Sequence, residues 1–137
     1  MAIAVAVCNQ KGGVGKSTTA VNVGAYLALS GRRTLLIDLD PQANATSGLG
    51  IPHRELTHTI YHALIDKKQI DEIILGENGD RLHLAPASAD LAGASIELVN
   101  HPEREFKLRD AIQKINPGYD YILIDCPPSL GLLTING

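Results

Sequence analysis

Three glycines and a lysine–serine pair, packed into KGGVGKS at positions 11–17, restrict this chain more than any other stretch. A run of alanine, valine and isoleucine precedes them at Ala2–Val7, and helix-compatible residues follow from Lys16 to about Leu29. An apolar run without in–out alternation predicts a parallel strand covered on both faces. A glycine-rich turn from such a strand into a helix brings backbone N–H groups together, and the helix dipole there favours negative charge. Side chains would block the close approach of an anion, which accounts for Gly12, Gly13 and Gly15. Lys16 can reach outer phosphates, and the Ser17 hydroxyl can bind magnesium. These residues make a phosphate-binding turn the expectation for the segment 11–18, which also includes Lys11, Val14 and Thr18. The common pattern G-x-x-x-x-G-K-[ST] asks for a glycine at position 10, where Gln10 stands instead.

The rest of the chain repeats the strand–helix alternation. Ser30-Gly31 supplies a helix stop, and Thr34–Asp38 (TLLID) predicts a second buried strand. Residues 41–57 are rich in Gly, Pro, Asn and Ser and are expected to be loop with little regular structure. A helix is expected over about 58–66, a third strand at 81–86 (RLHLAP), and helices at 90–99 and 103–115. Pro117-Gly118 breaks the chain before a fourth strand, Tyr121–Asp125 (YILID). Strands alternating with helices imply parallel units with right-handed crossovers, hence an α/β fold built on a mainly parallel sheet of about four strands. At 137 residues the chain is expected to form a single domain. It stops at LTING, where another helix and strand are expected to follow, so the sheet reads as the first half of a larger one. An apolar first strand also calls for a neighbour on each side.

Carboxylates cluster at the expected strand ends. In LLIDLDPQ, Asp38 and Asp40 are two positions apart and share a face while the strand persists. Open parallel sheets bind ligands beyond the carboxyl ends of their strands, where the glycine loop also falls. One carboxylate can orient an attacking water, and either can help hold magnesium; the competing reading is a solvated turn, where Asp and Pro are common. In YILIDCPPS, an apolar strand ending in Asp125 has the Walker-B layout and would support magnesium beside the loop.

Taken together, these segments resemble a known family. KGGVGKS at 11–17 resembles the deviant Walker-A motif, in which a lysine precedes the glycines and the earlier glycine is dispensable. Within that superfamily, DLDPQANATSGLG (38–50), PASADLAGASIELV (86–99) and DCPPSLGLLTIN (125–136) look like the ParA/Soj partition ATPases. The resemblance covers essentially the whole chain and implies a three-layer P-loop NTPase fold. It further implies magnesium-dependent ATP hydrolysis, an ATP-dependent homodimer, a ParB-type partner that stimulates turnover, and non-specific DNA binding by the ATP-bound dimer. It assigns Lys11 to the partner subunit's phosphates, Lys16 and Ser17 to phosphate and magnesium in cis, Asp40 to catalysis and metal, and Asp125 to the Walker-B role. Family members are longer, and the basic DNA-binding surface and much of the adenine pocket are expected in the part that does not match. The alternative from another class is a nucleotide-binding or interaction fragment without ATPase activity.

Composition narrows the field further. A formal net charge of −3 gives no overall basic footprint for nucleic acid. The apolar N-terminus is too short for a membrane span and lacks the basic start of a secretory signal. Cys8 and Cys126 lie far apart, which points to a reduced, cytoplasmic setting; nucleoid association where DNA is bound is what the resemblance implies. His58 and His62 are four apart, but the residues between them break the H-E-x-x-H pattern, so ordinary helix histidines are expected. Cys126 beside Asp125 lacks the spaced partners an iron–sulfur cluster needs and reads as a small buried residue. RELTHTIYH, despite its charges and aromatics, reads as an exposed helix start rather than a nucleic-acid surface.

Overall fold

Strands buried on both faces need helices above and below, and the computed structural model has that arrangement. It describes residues 3–7, 15–39, 44–48, 59–64, 70–76, 81–87 and 118–125. In chain order the elements are β1 (Ile3–Val7), α1 (Gly15–Leu29), β2 (Thr34–Asp38), α2 (Asn44–Gly48), α3 (Ile60–Leu64), α4 (Ile70–Ile73), β3 (Leu82–Ala85) and β4 (Tyr121–Asp125). All three strand pairings are parallel, and the spatial order is β1-β4-β2-β3.

The pleat sends alternate residues to opposite faces. Leu36, Leu84 and Leu123 lie in register across β2, β3 and β4 and pack with Ala20 of α1 and Ala45 of α2. Leu35, Ile37, Ala85, Ile122 and Ile124 point the other way, onto Ile60 of α3 and Ile70 and Ile73 of α4. Two apolar layers therefore sandwich one sheet, giving the expected three-layer architecture. Every residue of β2 is buried, which is why TLLID shows no alternation.

The α1 terminus ends as the Ser30-Gly31 pair predicts. Gly31 N–H donates to the Ala28 carbonyl and Arg32 N–H to that of Leu27, both at 3.0 Å, with Gly31 at φ 87°. This reciprocal pattern is a Schellman cap, and it requires a left-handed residue at Gly31.

Two expectations change. The stretch expected to be loop carries α2, whose Ala45 and Thr46 are buried against the sheet; tertiary contacts impose a turn of helix that local propensity does not favour. The apolar first strand was expected between two neighbours. Among the described residues β1 pairs with β4 alone, and its Val5 is 43% exposed. The helices expected at 90–99 and 103–115 lie outside the described residues, as do Cys8, Cys126 and His58. No described helix is long and apolar enough to cross a membrane.

Candidate functional site

The carboxyl edge of the sheet brings distant segments together. Val7, Asp125 and Asp38 are register partners at the ends of β1, β4 and β2, so three strand exits lie side by side. From Val7 the chain passes through 8–14 and enters α1 at Gly15. Lys16, Ser17 and Thr18 thus occupy the first turn of a fifteen-residue helix with no acidic residue in that turn. The first N–H groups of a helix have no intrahelical acceptor, and with the dipole they favour an anion. Lys11, Gly12, Gly13, Val14 and Asp40 lie outside the described residues.

The two strand-end carboxylates, Asp38 and Asp125, are fully buried. A buried charge needs compensating donors. Asp38 Oδ2 accepts the Thr46 N–H at 2.9 Å and the Thr46 hydroxyl at 2.7 Å. Asp38 is therefore engaged by α2 and is not simply a strand-end carboxylate facing solvent. The main chain of Asp125 is held as well: its carbonyl accepts the Leu39 N–H at 2.9 Å. Thr46 is a participant that sequence reasoning missed. It lies in the expected loop, and nothing in the pattern of NATSG marks a partner for Asp38 eight residues earlier.

The histidine set aside as a metal ligand has a structural task. His62 Nδ1 accepts the Thr59 N–H at 3.1 Å at the start of α3, and its ring meets Tyr61 edge-on at 5.1 Å. Among the described residues no group of three or more His, Cys, Asp or Glu side chains could hold a metal ion. A magnesium site made from one hydroxyl and one or two carboxylates needs no such cluster, because this ion keeps several waters and takes phosphate oxygens. The helix that follows β1 opens with Lys16 and Ser17 in its first turn, and β1 pairs at its exit with Asp125 of β4, an order of elements that suits a phosphate anion with a hard cation.

Comparisons with known proteins agree with this chemistry. The AAA-domain family matches residues 2–137. The chromosome partitioning protein ParA of Myxococcus xanthus is 55% identical over 132 residues, which are 96% of this chain and 47% of that protein. The sporulation initiation inhibitor Soj of Bacillus subtilis is 53% identical over 132 residues, 96% of this chain and 52% of that protein. The chain thus spans about half the length of the curated relatives it matches. Among solved structures, cobyrinic acid a,c-diamide synthase of Mycobacterium smegmatis with a bound ATP analogue and magnesium superposes at a TM-score of 0.94. It is 40% identical, over 99% of this chain and 55% of that one. A putative plasmid partition protein of Borrelia burgdorferi bound to AMPPNP superposes at 0.83 with 32% identity, over 99% of this chain and 57% of that one.

Proposed function

This chain belongs to the AAA-domain family that includes the ParA/Soj partition proteins, and we propose that it acts as a magnesium-dependent partition ATPase. The carrying observation is the convergence at one sheet edge: α1 begins at Gly15 with Lys16 and Ser17 in its first turn, and Asp125 ends a neighbouring strand of β1. The nucleotide-bound neighbours add support, and the ParA of Myxococcus xanthus and Soj of Bacillus subtilis have higher identity than the diamide synthase.

In this reading residues 1–137 form one deviant Walker-A unit. Residues 11–18 cradle the ATP phosphates through backbone N–H groups and Lys16, which lowers the repulsion between phosphate oxygens. Ser17, Asp40 and Asp125 would hold magnesium, whose charge offsets that developing on the transferred phosphoryl group. Asp40 orients the attacking water, and Lys11 reaches the phosphates of a second subunit, stabilising charge there as an arginine finger does. Water attacks the terminal phosphorus, the bond to the bridging oxygen breaks, and ADP and inorganic phosphate leave. A homodimer follows from the Lys11 assignment, and a ParB-type protein is the proposed stimulating partner. DNA binding is proposed for the full-length relatives rather than for these 137 residues, which carry a net charge of −3. The proposed location is the cytoplasm, on the nucleoid where DNA is bound.

The test is to size the protein with and without ATP and magnesium while following phosphate release, with Lys16→Ala alongside. The expected result is ATP-dependent dimer formation and turnover, both lost in the variant. A chain that binds a labelled ATP analogue but neither dimerises nor releases phosphate is a nucleotide-binding fragment. Unchanged analogue affinity in Lys16→Ala overturns the loop assignment.

A further inference from the structure

Asp38 ends β2 with no exposed surface, and the donors at its carboxylate reach well beyond its own strand. Thr46 gives Oδ2 both its N–H, at 2.9 Å, and its hydroxyl proton, at 2.7 Å. That hydroxyl oxygen in turn accepts the Ala87 N–H at 3.0 Å, just past the end of β3. One threonine therefore joins the exits of β2 and β3 through a charge-assisted bond, roughly twice as strong as a neutral one. The next residue extends the chain of ties to β4, because Leu39 N–H donates to the Asp125 carbonyl at 2.9 Å. Residues 40–43, which include Asp40, are thus joined at one end to a residue held by β4 and at the other to a helix held by β2.

We propose that Asp38 and Thr46 are a positioning pair for ATP hydrolysis: through Thr46, Asp38 fixes the strand exit that carries Asp40 against the main chain of Asp125. The pair rests on the ATPase reading above and adds to it two residues that act through the strand exit they hold. Two features set it apart from a generic core contact. The bonded atoms lie at the carboxyl edge, one position from Leu39 and two from Asp40, so a displacement there is passed directly along the chain. The three tied exits also carry or adjoin both carboxylates assigned to the metal. Catalytic geometry is steep in distance, and a misplacement of about 1 Å can cost about a hundredfold in rate while leaving binding intact.

The experiment uses the chain as it is and compares wild type with Thr46→Val, Thr46→Ser, Asp38→Asn and the Asp38→Asn/Thr46→Val double variant. Phosphate release at saturating ATP gives kcat, and a fluorescent ATP analogue with magnesium gives affinity. Amide exchange at Leu39 and Ala87 reads the ties themselves. Thr46→Val keeps the side-chain shape but removes the hydroxyl; the expected result is a kcat at least about tenfold lower with affinity within about twofold, and faster exchange at Ala87. Thr46→Ser restores the hydroxyl and is expected within about threefold of wild type. The double variant should be no worse than the poorer single, since residues acting as one unit are non-additive. An active wild type with Thr46→Val at full kcat overturns the pair alone. So does a loss of affinity that matches the loss of kcat, which is the signature of general destabilisation. A wild type that binds the analogue and releases no phosphate overturns the ATPase reading, and the pair's role in hydrolysis with it.

Discussion

Gly76 and Gly31 both hold positive φ, at 150° and 87°, but they meet different surroundings. A side chain at Gly31 would meet nothing within 4 Å, so only the backbone preference opposes substitution. At Gly76 a Cβ would come within 2.8 Å of His83 Cγ and 3.0 Å of Nε2. That ring cannot easily yield. Its Nδ1 is hydrogen-bonded to the Tyr119 hydroxyl at 2.9 Å, the two rings meet edge-to-face at 5.6 Å, and the adjoining Leu75 and Leu84 exchange backbone hydrogen bonds. Gly31→Ala should therefore cost about 1–2 kcal/mol, the ordinary left-handed penalty. Gly76→Ala should cost about 2–4 kcal/mol by adding an overpacked contact to strain. Urea denaturation of the two variants checks the order, and Gly76→Ala at or below the cost of Gly31→Ala would show that His83 moves freely.

At the scale of elements, α1 decides where Lys16 and Ser17 sit, and its distance from the sheet is set at Gly24. A Cβ there would lie 3.2 Å from Leu82 Cδ1 and 3.6 Å from Leu123 Cδ1. Alanine is worth about 0.8–1 kcal/mol over glycine in a helix interior, and the tip of the half-buried Leu82 can yield a few tenths of an ångström. Gly24→Ala is accordingly expected to leave stability unchanged or raise it by up to about 1 kcal/mol. Gly24→Leu has no room, and the overpacking it forces should cost about 1–3 kcal/mol and weaken nucleotide analogue binding as α1 lifts. Chemical denaturation with analogue titration checks both, and a Gly24→Leu protein as stable as wild type would mean that the helix is not packed this closely. The β2 and β4 strands were legible because burial leaves whole apolar runs, and the end of α1 because a Schellman cap needs a glycine where Gly31 stands. Short elements were not legible. The α4 turn is four residues, IDEI, with Ile70 and Ile73 buried at its two ends, too brief to show a period. NATSG contains no run of helix formers, and its ordering follows from the Asp38 carboxylate. Asp38 itself was read as a chemical neighbour of Asp40 because spacing was the visible signal; its tie to Thr46 is tertiary and leaves no periodic trace.

Across the whole molecule the sheet separates two ends with different tasks. The carboxyl edge carries the candidate site, and the amino edge carries a clasp between the starts of β2 and β4. Arg33 N–H donates to Asp120 Oδ2 at 2.9 Å, Asp120 N–H returns a bond to the Arg33 carbonyl at 2.7 Å, and the Arg33 guanidinium lies 5.9 Å from the Tyr119 ring centre. Burial pushes the Tyr119 phenol above its ordinary value of 10.0, with Arg33 pulling weakly the other way. The sign follows from linkage. As pH rises the unfolded chain loses this proton first, so the phenol's contribution is fully present below about pH 10 and is lost as pH climbs through the folded value. Tyr119→Phe removes both the titration and the hydrogen bond to His83. The variant should be about 0.5–1.5 kcal/mol less stable at neutral pH, yet lose less stability than wild type between about pH 9 and 11. Because the clasp sits at the opposite end of the strands from Asp38 and Asp125, analogue affinity at neutral pH should be the same in both proteins. Urea denaturation across the alkaline range is the measurement, and parallel pH slopes for wild type and Tyr119→Phe would show that the phenol does not couple to folding.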